Sequence, residues 1–74
     1  MAENRAEFTV RGIESADDVS RIEDELSTLD GVMGTEIDRE TGEARVLYDV
    51  DILAEKRIEL TVEDMGYAIE SPEE

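Results

Sequence analysis

The sequence predicts an α+β domain of order βαββαβ, a four-stranded antiparallel sheet with both helices on one face. Three observations carry that reading. Apolar residues recur at helical spacing near residues 19–29 and 52–65. Two alternating stretches around 33–48 are joined by a five-residue loop, and short alternating segments at 7–11 and 67–70 flank the whole.

Glu7-Phe8-Thr9-Val10-Arg11 alternates polar and apolar, which puts Phe8 and Val10 on one face; Gly12 ends the strand and residues 13–17 form a loop. Ser15, with Asp18 three positions on, fits a capping box in which aspartate replaces the usual Glu or Gln. Val19, Ile22, Leu26 and Leu29 then define the buried stripe of a first helix. Asp17 stands four residues before Arg21, the favourable order for a pair, and Gly31 suits the left-handed position that ends the helix. Met33, Thr35 and Ile37 share a face of the second strand, as do Ala44, Val46 and Tyr48 of the third, and Asp38–Gly42 is the hairpin loop between them. Met33 and Met65, both on apolar stripes, are expected in the core. A second helix is expected over 52–65, with Ile58, Val62 and Met65 inward and Glu55, Glu59 and Glu63 four apart on the outside. Gly66 stops it, and Tyr67–Glu70 reads as the last strand. This is the split βαβ, or ferredoxin-like, pattern; right-handed crossovers place strands one and three in the sheet centre. Residues 1–5 are expected to be disordered, 6–70 to form the domain, and 71–74 to fray as an acidic tail.

Composition narrows the function classes. Twenty-two acidic residues face seven basic ones, a net charge of −15, and only Lys56 is a lysine. Low hydropathy with such charge borders on disorder, against which the periodicity argues. Concentrated salt reconciles the two, because screening shortens from ~10 Å at 0.1 M to ~3 Å at 1 M. The balance resembles that of proteins from salt-in halophilic archaea. No basic patch is available for phosphates, so a nucleic-acid partner is not expected, and an anionic membrane surface should repel the chain. The N-terminus has no leader pattern and no apolar run is long enough to span a bilayer, so a cytoplasmic location is expected. Without cysteine or histidine there is no disulfide, thiolate ligand or imidazole proton shuttle.

The order and spacing of several short motifs resemble the heavy-metal-associated (copper-chaperone) domain family over roughly residues 6–70. Gly12-Ile13 stands where that family opens its metal loop, followed by Gly31-Val32, Thr41-Gly42, Val46-Leu47-Tyr48-Asp49 and Glu63-Asp64-Met65-Gly66-Tyr67. The resemblance implies the ferredoxin-like fold and a metal loop at residues 13–18. It also sets Ser15 and Asp18 at the two positions where the family carries the cysteines of its Cys-x-x-Cys motif, and Ile13 at its methionine. Those cysteines hold Cu(I) or Zn(II) because thiolates are soft, charged donors. A serine hydroxyl is neutral and a carboxylate is hard, so soft-metal carriage through this loop is not expected.

The degenerate loop, Ile13, Glu14, Ser15, Asp17 and Asp18, therefore admits two readings. One is helix capping, worth ~1 kcal/mol. The other is a hard divalent cation, the one cofactor left open, held by the carboxylates of Glu14, Asp17 and Asp18. Tyr67, the aromatic that the family places near its metal loop, is expected to pack over Ile13 as a lid. Thr9, Arg11, Arg45 and Leu47 face the open side of the sheet and form a candidate interaction surface for a protein partner or self-association; the edge strands offer strand addition as another route. Catalysis is not expected. Acylphosphatase shares this topology, but its phosphate-cradling arginine loop is absent after the first strand, and no nucleophile–base arrangement is available. The leading reading is a non-catalytic binding module with a docking role. The alternatives are a carboxylate metal binder and a small-metabolite-sensing regulatory domain.

Overall fold

A computed structural model describes residues 2–70. Alternation sets the strands. In β1 (Glu3–Arg11), Ala6, Phe8 and Val10 turn inward and are buried; in β3 (Glu43–Asp49), Ala44, Val46 and Tyr48 do the same. With β2 (Val32–Ile37) and β4 (Ala68–Glu70) they form one antiparallel sheet of order β2-β3-β1-β4, as the crossover argument requires. Helices α1 (Ala16–Ser27) and α2 (Glu55–Asp64) cover one face. Ile22 and Leu26 from α1 and Ile58 and Val62 from α2 are fully buried against the strands' inner residues. The fold is the ferredoxin-like one that the sequence predicts.

Four expectations are corrected. Residues 3–5 are not disordered: β1 begins at Glu3, and Glu3, Asn4 and Arg5 pair with Asp49, Tyr48 and Leu47, while residue 1 lies outside the described residues. The extension is held by its partner strand, since Val50 N–H donates to the Ala2 carbonyl at 2.8 Å and Ala2 N–H to the Asp49 carboxylate at 3.3 Å. Met33 is not a core residue. The β2–β3 register passes from Val32↔Tyr48 to Gly34↔Leu47, so Met33 is the extra residue of a bulge and lies 44% exposed. Helix α2 starts at Glu55 and not at Ile52, because Ile52 and Leu53 N–H are drawn into a turn on the Asp49 carbonyl, at 3.0 and 2.9 Å. That turn leaves Ile52 exposed and buries Leu53. The last strand begins at Ala68, one residue later than expected. The proposed frayed tail, 71–74, lies outside the described residues.

The hairpin loop is tight for an identifiable reason. The Asp38 carboxylate accepts from Glu40 N–H (2.9 Å), the Asp38 carbonyl accepts from Gly42 N–H (2.7 Å), and the Gly42 carbonyl accepts from Val10 N–H (2.8 Å). Gly42 has φ +83°, and a Cβ there would run into the Val10 carbonyl oxygen. Gly42→Ala is expected to destabilise the domain by about 2 kcal/mol or more, read as a lower urea midpoint with an unchanged slope. An unchanged midpoint would mean that the loop opens at no cost.

Candidate functional site

The loop of residues 12–15 connects β1 to α1. Gly12 turns the chain, Ser15 takes the N-cap position in extended backbone (φ −155°, ψ 171°), and α1 begins at Ala16, which makes Asp18 its third residue. From there the Asp18 carboxylate folds back over the start of the helix. One oxygen, Oδ2, accepts from Glu14 N–H at 2.8 Å and from Ser15 N–H at 3.3 Å. The other, Oδ1, accepts from the Tyr67 hydroxyl at 2.7 Å, with Arg21 Nη1 3.9 Å away. Asp18 thus satisfies the free N–H groups that precede a helix and sits at the favourable end of its dipole.

Tyr67 reaches this point from the other end of the chain. Gly66 ends α2, and Tyr67 follows it, half-buried against the core. Its ring lies over Gly12, with Cδ1 3.5 Å from where a Gly12 Cβ would stand. The Asp18–Tyr67 bond therefore ties the start of α1 to the segment that enters β4, forty-nine residues away in sequence.

The electrostatics follow from those contacts. The Tyr67 hydroxyl, and after it Glu14 N–H, hold the Asp18 carboxyl below its ordinary value, with partial desolvation opposing and Ser15 N–H and Arg21 assisting. The same bond to Asp18 pushes the Tyr67 hydroxyl above its ordinary value, with desolvation adding to the rise.

These residues do not fit a soft cation. Asp18 has both oxygens engaged by donors and a guanidinium beside it, and Ser15 offers a neutral hydroxyl. Among the described residues, no group of three or more Asp and Glu side chains is arranged to hold a metal ion. Glu14 and Asp17 are exposed, and Glu14 joins the site through its backbone N–H and not its carboxylate. Ile13 packs against the core, as expected of the loop's apolar anchor. Two expectations change. Arg21 lies within ion-pair distance of Asp18 and not of Asp17, and Tyr67 does more than cover the loop, because its hydroxyl closes it.

The second candidate surface is the open side of the sheet. Thr9, Arg11, Arg45 and Leu47 share that side but do not converge. Leu47 stands opposite Arg5 and Gly34, Arg45 opposite Glu7 and Glu36, and Thr9 opposite Glu43 and Glu70. Leu47, level with Arg5, is about 20 Å from Arg11 along the strands, by a rise of ~3.3 Å per residue.

A model of the heavy-metal-associated domain matches residues 7–68, almost the whole described chain. The chain belongs to the heavy-metal-associated domain family. It is 41% identical over 64 residues to Copper-transporting ATPase 2 of Mus musculus, and spans only 4% of that protein's length. It is 32% identical over 62 residues to Copper chaperone CopZ of Staphylococcus aureus (strain MRSA252), covering 84% of this chain and 91% of that one. Among solved structures, a CopZ metallochaperone superposes with a TM-score of 0.86 at 27% identity, over 89% of this chain and 98% of that chain. No helix among the described residues is long and apolar enough to cross a membrane.

The Asp18–Tyr67 bond gives a heavy-metal-associated domain a readable pH signature. A depressed carboxyl stabilises the fold above the ordinary Asp range, near 4, and loses that contribution as pH falls through its lowered value. A raised phenol stabilises below ~10 and loses it as pH climbs through its raised value. In Tyr67→Phe, the Asp18 carboxyl is expected to titrate closer to its ordinary value, as followed by carbon-detected NMR. An Asp18 titration unmoved by the substitution would remove Tyr67 as its main cause.

Proposed function

We propose that this chain is a non-catalytic docking module of the heavy-metal-associated fold, in which an internal hydrogen-bond clasp occupies the place of soft-metal ligation. The observation that carries the reading is the Tyr67 hydroxyl on Asp18 Oδ1 at 2.7 Å, with two backbone N–H groups on the other oxygen. In the family pattern, position 18 faces a metal; here it faces inward to its own chain. The same commitment of both Asp18 oxygens argues against the carboxylate cation reading. The skeleton around the loop, which gives a chaperone-like domain its shape, is kept from Glu3 to Glu70. What such a domain retains is a surface for another protein. Nothing in the residues present calls for a reaction: the loop has no nucleophile with a base beside it.

Titration with Cu(I) against a competing chelator, in 2 M KCl, tests the reading. The expected result is no stoichiometric binding tighter than micromolar. One equivalent held more tightly, with chemical-shift changes confined to residues 13–18 and 67, would overturn it.

A further inference from the structure

The sheet has two edges, and the chain guards them unequally. At one edge, β4 has three described residues and ends on Glu70, whose carboxylate lies 2.8 Å from Arg11. At the other is β2, six residues long, of which only Glu36 is charged, in a chain that is 39% charged. Edge strands are commonly blunted by shortness or by charge. β2 has neither, and only the bulge at Met33 interrupts it. Helix α1 continues the contrast. Its Asp24 and Glu25 line the groove toward α2, whereas the flank away from that groove runs Ala16, Ser20, Glu23 and Ser27 at helical spacing.

Register shows which groups this edge leaves unused. Asp38 N–H donates to the Glu43 carbonyl at 2.8 Å, so the alternation of an antiparallel ladder turns the backbone groups of Glu36 and Gly34 toward β3. Those of Thr35 and Ile37 point away from the sheet. Thr35 has a second unmet need. Among the described residues, its Oγ1 is the buried side-chain polar atom with no hydrogen-bond partner, a state that calls for a physical reason.

We infer that β2 is the contact between two copies of this chain, paired antiparallel about a two-fold axis at Thr35. An extended backbone is the partner that fits a row of unused N–H and C=O groups on a sheet edge. The side chains select a second copy. With Thr35 facing its own counterpart, each threonine hydroxyl gains the other as a partner, a cross-strand bond that sheets use. One step along, Glu36 stands opposite Gly34, which has open space where a side chain would point. Two steps along, Ile37 stands opposite Met33, which is 44% exposed in the single chain. Two chains of charge −15 also meet at least cost where little charge lies, and this edge is such a place. The contact is isologous, closes on itself, and joins two four-stranded sheets into one of eight. It uses no residue of the loop before α1, so it stands or falls apart from the proposed loss of metal binding.

Sedimentation equilibrium of the full chain in 2 M KCl, from about 10 μM to 1 mM, tests the inference, with circular dichroism to show that each variant is folded. The wild type is expected to reach twice its 8.3 kDa mass. Gly34 is not at positive φ and a Cβ there meets nothing, so its variants should fold. Gly34→Glu sets a carboxylate opposite Glu36 of the second copy and should weaken association at least tenfold. Gly34→Arg sets a cation there and should not weaken it. Amide hydrogen exchange gives a separate readout. Thr35 and Ile37 N–H should slow as concentration rises, while Glu36 N–H, turned toward β3, should slow much less. A chain that stays monomeric to 1 mM overturns the inference. So does a dimer that Gly34→Glu leaves intact, one that Gly34→Arg weakens as much, or one in which Thr35 and Ile37 exchange as fast as in the monomer.

Discussion

Replacing Ser15 and Asp18 together by cysteine is expected to raise the affinity for Cu(I) steeply, giving a chain that binds a single equivalent firmly. The gain should be at least about a thousandfold, or about 4 kcal/mol. Two changes act in the same direction. The double substitution supplies two soft donors at one helix N-terminus, where the dipole favours the thiolate form. It also removes the carboxylate that the Tyr67 hydroxyl, Glu14 N–H and Ser15 N–H now occupy. That carboxylate folds back to the Ser15 backbone N–H at 3.3 Å, so the side chain at 18 already reaches residue 15. Asp18→Cys alone leaves one thiol and should gain much less. The measurement is chelator competition under anaerobic conditions in 2 M KCl, alongside the unaltered chain. If the double variant bound no better than the natural chain, the clasp would not be what stands between this domain and a metal, and the proposed account of the loop would fail.

Much of this is legible in the sequence itself. Phe8, Val10, Val46, Ile22, Leu26, Ile58 and Val62 signal their burial by period alone, and the strand order follows from them through the handedness of the crossovers. What escaped has a common cause. Asn4 and Arg5 are polar on both faces, and their strand is held by backbone bonds to residues 47–50, which no local pattern reveals. Met33 looks like a core residue until the bulge shifts the register by one, and a shift of one sends a side chain to the opposite face. The Asp18–Tyr67 bond joins positions forty-nine apart in sequence. The position of Tyr67 near the loop was readable from the family resemblance. That its hydroxyl would find a partner there was also within reach, because an acid stands where the second cysteine would, and a half-buried phenol seeks an acceptor.

Stability should depend steeply on salt, and more on some residues than on others. A net charge of −15 on a domain whose core rests on eleven buried apolar residues leaves a thin margin against self-repulsion in dilute buffer. Raising KCl from 0.1 to 2 M shortens screening to below the spacing of neighbouring surface charges. The thermal midpoint is expected to rise by at least about 10 °C, equivalent to roughly 2 kcal/mol for a domain of this size. Identical melting at the two concentrations would contradict the argument. A general salting-out effect on apolar burial would also raise the midpoint, so a second comparison is needed to separate the two. Glu59 sits on α2 between Glu55 and Glu63, four residues from each, with no basic side chain within ion-pair distance of any of the three among the described residues. Glu59→Lys turns two repulsive contacts of ~0.2–0.5 kcal/mol each into attractive ones. Its stabilisation should be clear in 0.1 M KCl and mostly gone in 2 M KCl. A gain of equal size at both concentrations would place the effect in helix propensity or packing, and the salt dependence of the whole domain could then no longer be assigned to its charge.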